Sequence, residues 1–575
     1  MKEMTGSEIF VESLLRENVE VVFGLPGGAL LPIFDKIHAS KLKFVLAKHE
    51  QGASHMADGF ARATGKTGVC LATSGPGATN IVTGLATAYM DSIPMVAFTG
   101  QVATSLIGND AFQEADTTGI TRPVTKHNFL VKDVRELAKT IRQAFHIAKT
   151  GRPGPVLVDI PVDVQRAKCK FVWEDVVEIR SYKPNYEGHK GQIKKASDAI
   201  NASKKPILYI GGGVISSNAQ AEIMELAKKA NIPVTSTLLA LGAFQGDEKL
   251  NLGMLGMHGT YCANMAMQSS DLIISVGSRF DDRCTGKVCG FAPNAKIVHI
   301  DIDPTSISKI VDVDIPVVGD AKTILTELNK TVENKENKQW LADIAKWKQE
   351  VPLQYDNSKG LKPQYIIEKL SEITKGNAIV VTEVGQHQMW AAQYYKASAS
   401  RNFLSSGGLG TMGFGFPAGI GAKIACPKKE VVVIAGDGSF QMNIQELATA
   451  ALYGINVKIF ILNNQYLGMV RQWQEMFYGK RYSHTCLNKS KDCPEICNTP
   501  NKNCPVYIPD FVKVAEAYSA HAVRVTDSKD VENEIKKALA FDGVYLVEFM
   551  VDREENVLPM VPAGANLDEV ITRLA

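Results

Sequence analysis

Short apolar runs rich in β-branched residues alternate with amphipathic stretches along nearly the whole chain. In the first third, runs at residues 19–23, 43–46, 69–72, 95–99 and 156–159 read as buried strands, separated by helical patterns such as residues 52–64. A second series starts at residues 207–210, directly before Gly211-Gly212-Gly213, and continues at 272–276, 297–300 and 316–319. In a third series, runs at 430–435 and 457–462 flank residues 442–453, where Ile444, Leu447, Ala448, Ala451 and Leu452 share one helical face and Gly454 is suited to a C-cap. Strands and helices that alternate in this way predict an α/β protein with three doubly wound parallel-sheet domains. The expected boundaries are 1–168, 190–330 and 363–575; a polar stretch at 170–192 and a charged, helix-patterned linker at 331–362 separate them.

At 575 residues, 45% hydrophobic and 22% charged, the chain has an ordinary soluble composition. Lys+Arg 63 against Asp+Glu 61 leaves a net charge of +2, which offers no electrostatic reason for a nucleic-acid or anionic-membrane partner. No apolar segment approaches the roughly 20 residues that span a bilayer. The N-terminus lacks the features of a secretory or transit peptide, so the cytoplasm is the expected location. Six cysteines are scattered, whereas Cys486, Cys493, Cys497 and Cys504 cluster with C-x6-C-x3-C-x6-C spacing. For these four, a metal clip competes with a loop of free thiols.

The sharpest chemistry lies where the third series turns. Gly436-Asp437-Gly438-Ser439 follows one apolar run, and Asn463-Asn464 ends the next. Two parallel strands joined by a helix deliver Asp437 and Asn464 to the same carboxyl edge. A carboxylate, an amide oxygen and the Tyr466 carbonyl form a half-shell of hard oxygens suited to Mg²⁺, with positions left for phosphate and water. Gly436 and Gly438 let backbone approach a diphosphate closely. In the first block, Glu50 follows the run at 43–46 and enters a loop; a lone glutamate there is ordinarily a solvated surface residue.

Several long motifs give these features a shared meaning: FGLPGGALLPIFD from Phe23, HEQGASHMADGFARATGK from His49, TSGPGATN from Thr73, GNDAFQEAD from Gly108, SRFDDRCTGK from Ser278, residues 407–421, LNNQYLGMVRQW from Leu462 and VLPMVPAGA from Val557. Over nearly its whole length the chain resembles the catalytic large subunits of the acetohydroxyacid (acetolactate) synthase family, which use thiamine diphosphate (ThDP). The resemblance implies two ThDP-binding domains around a Rossmann-like central domain that binds FAD as a structural group. It implies that Glu50 activates ThDP, that Asp437, Asn464 and Tyr466 hold Mg²⁺, and that Gln386, His387, Gly436, Gly438 and Ser439 surround the diphosphate. Met412 would hold the cofactor bent. Phe112 and Gln113 would reach the active site from a partner subunit, in a homodimer or tetramer. Arg152, Gly212, His258, Gly259, Gly277, Arg279, Asp301 and Asp320 would bind FAD. Arg283 would hold the acceptor's carboxylate and Trp473 its alkyl tail.

The implied reaction decarboxylates pyruvate and adds the remaining two-carbon unit to pyruvate or 2-oxobutyrate, the first common step of valine, leucine and isoleucine biosynthesis. A regulatory small subunit is an expected partner. Another ThDP/FAD pyruvate enzyme such as pyruvate oxidase is the enzymatic alternative, and a scaffold relative that merely kept the fold is the non-enzymatic one. Ala103 and Ala563 stand where the family's inhibitor channel varies.

Overall fold

The structure is a computed structural model that describes residues 2–245, 249–494, 504–505 and 507–573. Its frame is three six-stranded sheets, each parallel throughout. The first runs in the order Lys43–Leu46, Val21–Gly24, Gly68–Ala72, Met95–Gln101, Pro155–Pro161, His127–Leu130. The second runs Asn251–Met254, Val234–Ser236, Pro206–Ile210, Leu272–Val276, Lys296–Asp301, Ile315–Val318. The third runs Phe403–Leu404, Ile379–Thr382, Val431–Gly436, Lys458–Asn463, Tyr545–Met550, His521–Val525. A two-stranded antiparallel ribbon, Glu3–Thr5 with Lys168–Lys170, ties the start of the first unit to its end. Among the described residues no helix is long and apolar enough to cross a membrane.

The predicted central strands are all present because they are buried on both faces, the condition that makes a run continuously apolar. The strands that went unpredicted lie at or next to edges. His127–Leu130 is only half buried, and Val234–Ser236 has three residues, so neither carries such a run. The single helix predicted over 442–453 is broken. Gln441–Glu446 forms a 3₁₀ turn and Leu447–Leu452 a short helix, because Asn443 leaves helical geometry and donates from Nδ2 to the Gly413 carbonyl at 2.6 Å.

One hydrophobic core joins the first and third sheets, with Phe23, Met56 and Leu85 in the same cluster as Phe416, Val433 and Ile459. The contact runs through two helices, Glu50–Thr64 and Gly415–Ala425, at glycine distance: a Cβ on Gly59 would lie 2.0 Å from the Ala418 carbonyl oxygen, and one on Gly421 1.9 Å from that of Met56. The second sheet has its own core, and the helix Lys338–Glu350, inside the stretch expected as a linker, covers one of its faces. There Trp340 is buried and donates from Nε1 to the Pro206 carbonyl at 2.9 Å.

Within each sheet the chain order reverses at an inner strand pair: between Val21–Gly24 and Gly68–Ala72, between Pro206–Ile210 and Leu272–Val276, and between Ile379–Thr382 and Val431–Gly436. A crevice opens at the carboxyl ends of such strand pairs.

Candidate active site

At the third crevice, Val431–Gly436 and Lys458–Asn463 pair in parallel, so Asp437 and Asn464 leave the same edge. Asp437 opens a four-residue helix and is 1% exposed. Its Oδ2 is buried with no hydrogen-bond partner among the described residues, and burial pushes the carboxyl up to about 7. A carboxylate in that state is satisfied by a bound cation. Asn464 donates from Nδ2 to Gln386 Oε1 at 3.1 Å and accepts at Oδ1 from the Tyr466 amide at 3.0 Å. Gln465, at φ 62°, turns the chain back so that Tyr466 stays beside the edge. Among the described residues no group of three His, Cys, Asp or Glu could hold a metal. One carboxylate, one amide and one carbonyl instead form a partial set of hard oxygens, which fits Mg²⁺ completed by phosphate and water.

Gln386 and His387 begin the helix Gln386–Tyr394 on the neighbouring strand, aiming its N-terminus at the same crevice. Burial holds the His387 imidazole down to about 3, so it stays neutral, and its Nε2 is unpartnered. Gly436 is required there: a Cβ would stand 2.7 Å from His387 Nδ1. Ser439 Oγ accepts from the Gly436 amide at 3.3 Å, and a Cβ on Gly438 would meet Leu467 at 2.8 Å.

Glu50 corrects the expectation of a loop position. It is the first residue of the helix Glu50–Thr64, capped by the His49 side chain, which accepts from the Gln51 amide at 3.1 Å. It is 6% exposed and accepts at Oε2 from Asn80 Nδ2 at 2.9 Å. The amides of Lys48 and His49 donate to Glu446 Oε1 at 3.0 and 3.1 Å, so a buried side chain of the third unit fixes the entry to this helix. Phe112 is 88% exposed, and Gln113 sits at φ 57° in the same loop, which Glu114 holds by accepting from the Gly108 and Ala111 amides.

The second crevice opens into a cavity of about 1120 Å³. Its floor is backbone: a Cβ on Gly211 would lie 2.1 Å from the Gly277 carbonyl oxygen, and Gly277 itself has φ 60°. Arg152, Gly212, His258, Gly277, Arg279, Asp301 and Asp320 all line it. Arg152 pairs with Asp303 at 3.2 Å, Asp301 accepts from the Asp303 amide at 2.8 Å, and Asp320 caps the helix Ala321–Thr331. Burial lowers His258 to about 4 and keeps it neutral. Gly259 is not among the lining residues; its amide closes a turn onto Gly256 at 2.9 Å. A floor without side chains, flanked by two arginines and with acidic residues on the far strand, fits a large dinucleotide such as FAD.

The cavity continues past Gly385 to Met412, Arg283 and Trp473. The Met412 loop is held by residues that the sequence reading missed. Glu383, 0% exposed, accepts from the Gly413 amide at 2.7 Å and the Phe416 amide at 3.0 Å. Asp91, from the first unit, accepts from Gly407 at 3.0 Å and Gly408 at 2.6 Å and pairs with buried Arg62 at 2.8 Å. No local sequence pattern marked them, because the amides they accept from lie far away in the chain. Glu50, Phe112 and Gln113 do not line this cavity, so one chain brings together only part of the expected set. Of the clustered cysteines, Cys497 lies outside the described residues; Cys486 donates to Asn488 Oδ1 at 2.8 Å and Cys493 sits 3.7 Å from Ser490 Oγ.

Comparison with known proteins adds to this geometry. The chain matches the families described as "Thiamine pyrophosphate enzyme, N-terminal TPP binding domain" over residues 4–120, "central domain" over 193–328 and "C-terminal TPP binding domain" over 383–549. It is 48% identical to an acetolactate synthase large subunit of Haemophilus influenzae, over 99% of this chain and 98% of that protein. It is 47% identical to the acetolactate synthase isozyme 3 large subunit of Escherichia coli, over 99% of each. It is 49% identical to an acetolactate synthase of Mycobacterium bovis, over 99% of this chain and 92% of that one.

Proposed function

The chain belongs to the thiamine pyrophosphate enzymes and, within them, to the acetolactate synthase large subunits, and from that membership we propose how its residues carry the reaction. Two pyruvate anions and one proton give 2-acetolactate and CO₂; with 2-oxobutyrate as acceptor the product is 2-aceto-2-hydroxybutyrate. This is the first common step of branched-chain amino-acid biosynthesis. The observation that carries the reading is likeness to such subunits along the whole chain, with Glu50, Asp437 and Asn464 all buried at crevice edges.

Bound ThDP supplies a nucleophilic ring carbon and an electron sink for decarboxylation. Glu50 would exchange a proton with the cofactor's aminopyrimidine ring, and Asn80 donates to its carboxylate. Asp437, Asn464 and the Tyr466 carbonyl would hold Mg²⁺, whose charge would offset that of a diphosphate, while Gln386, His387, Gly436, Gly438 and Ser439 would line its bed. Met412, from its clamped loop, would pack against the bound cofactor. Arg283 holds the carboxylate of the acceptor oxo acid, and Trp473 gives its alkyl tail an apolar surface.

FAD would be held by Arg152, Gly212, His258, Gly277, Arg279, Asp301 and Asp320, with Gly259 shaping the turn behind. Its place is structural, since the overall reaction exchanges no electrons with it. A second copy of the chain completes the site with Glu50, Phe112 and Gln113; the 88% exposure of Phe112 supports this reading. The relatives' designation as large subunits supports a smaller regulatory partner.

The test is product analysis with pyruvate, ThDP, Mg²⁺ and FAD. Acetolactate is expected. Acetaldehyde, or acetate with reduced flavin, would move the chain to a decarboxylase or an oxidase.

A further inference from the structure

The turn that leads into Glu50 is held by one face of the third unit. Glu446 and Tyr453 bracket the short helix Leu447–Leu452, and Glu446, Thr449 and Tyr453 share one side of it, spaced three and four residues apart. All three reach residues 46–49. The Leu46 amide donates to Tyr453 Oη at 2.9 Å, and Thr449 Oγ1 stands 3.1 Å from the Leu46 carbonyl. The Lys48 and His49 amides both donate to Glu446 Oε1, at 3.0 and 3.1 Å. Thr449 donates to the other oxygen, Oε2, at 2.7 Å.

Glu446 is fully buried. A carboxylate taken out of water is costly unless it is hydrogen-bonded, and bonds to a charged acceptor are about twice as strong as neutral ones. The first unit leaves room for it: a Cβ on Gly52 would lie 2.3 Å from Glu446 Oε1, so the opening turn of the helix Glu50–Thr64 is bare where the carboxylate approaches. Cohesion between the two units is supplied elsewhere, where Gly59 meets Ala418. Glu446 instead commits a buried charge to the two amides directly before Glu50. The Glu50 carboxylate accepts from Asn80, and its backbone springs from His49, whose amide Glu446 fixes. A proton-transfer group works only within hydrogen-bond reach of its partner, so the direction in which this helix starts decides whether Glu50 reaches.

We propose that Glu446 is a positioning residue for Glu50: backed by Thr449 and Tyr453, it fixes the turn at residues 46–49 and so sets the direction of the Glu50 carboxylate. The inference rests on the reading of Glu50 as the group that exchanges a proton with the cofactor. Glu446 acts through the Lys48 and His49 amides, not on the cofactor itself.

Two readouts on the full chain test it. In cofactor-free protein, backbone amide exchange read by mass spectrometry on peptides covering residues 46–50 reports the turn. With saturating ThDP and Mg²⁺, deuterium exchange at the cofactor's nucleophilic ring carbon, read by NMR after acid quench, reports Glu50. Glu446→Ala is expected to lose amide protection in those peptides and to slow the ring-carbon exchange about 10- to 100-fold, the scale of a displaced reacting group. Glu446→Gln keeps an acceptor oxygen and is expected to restore both. Glu446→Ala combined with Glu50→Gln is expected to be no slower than Glu50→Gln alone, because the two residues act as one unit. Ring-carbon exchange at the wild-type rate in Glu446→Ala, or a further loss in the double variant, overturns the proposal, while a slow Glu50→Gln leaves Glu50 in its role. Wild-type exchange in Glu50→Gln overturns the reading of Glu50, and the proposal with it. If Glu446→Ala does not fold, Tyr453→Phe, which removes only the acceptor of the Leu46 amide, is read in its place, and a wild-type rate there overturns the proposal.

Discussion

The Arg283 guanidinium lies 5.7 Å from the centre of the Trp473 ring, although the two residues come from different units of the chain and line one cavity. Among the described residues Arg283 is otherwise paired only with exposed Asp282, at 3.2 Å, and Trp473 Nε1 has no partner. A cation standing over an aromatic wall is an arrangement for a small acid with an apolar tail.

Substituting these two residues should therefore separate two properties. Arg283→Gln is expected to raise the KM for the acceptor oxo acid about 10- to 100-fold, the loss of one charge-assisted hydrogen bond. Trp473→Leu should keep acetolactate formation and lose discrimination between 2-oxobutyrate and pyruvate. Competition between the two acceptors, read as a product ratio, checks both. An unchanged ratio in Trp473→Leu would remove Trp473 from acceptor choice.

The clamp on the Met412 loop gives a second expectation. Asp91 and Arg62 form a buried pair, and Asp91 also holds the Gly407 and Gly408 amides. Breaking a buried pair from one side costs about 3–5 kcal/mol. Asp91→Asn should lower the unfolding temperature and weaken FAD retention together, because Gly407 and Gly408 line the same cavity. Gel filtration followed by flavin absorbance reads the second effect.

Glu383 makes stability depend on pH in a definite direction. Burial raises its carboxyl from 4.5 to about 7, so the folded state binds its proton more tightly than the unfolded chain does. Stability from this group is full below about 4.5 and is lost as pH rises through about 7. A shift of this size corresponds to roughly 3 kcal/mol. The unfolding temperature of the wild type, compared with Glu383→Gln, should therefore rise as pH falls from 8 to 5. A difference that is flat with pH would contradict it.

The glycine contact between the two ThDP-binding units sets a fourth. Gly59→Val would drive a Cβ to 2.0 Å from the Ala418 carbonyl oxygen. Overpacking of this kind costs about 1–3 kcal/mol, and thermal unfolding should register it as a clear loss. An unchanged unfolding temperature would show that the two helices can part freely.

What the sequence disclosed follows from what each residue must do locally. The central strands were legible because both of their faces are buried, and Asp437 and Asn464 because a strand, a helix and a second strand set their spacing. Glu50 was legible as a residue but misplaced by a turn, since its helix begins without Ser, Thr, Asp or Asn at the cap and uses His49 instead. Glu383, Asp91 and Glu446 could not be read, because each accepts from backbone amides far away in the chain, and no local pattern marks an acceptor of that kind. Nor could periodicity place Arg283 against Trp473, which only the packing of two units brings about.

The most direct measurement compares acetolactate formed from pyruvate by the wild type and by Glu50→Gln, each saturated with ThDP, Mg²⁺ and FAD. The account predicts acetolactate from the wild type and a loss of about 10²- to 10⁴-fold in the variant, the usual contribution of a positioned proton-transfer group, with ThDP still bound. A variant that makes acetolactate at the wild-type rate, or a wild type that makes none, would contradict it.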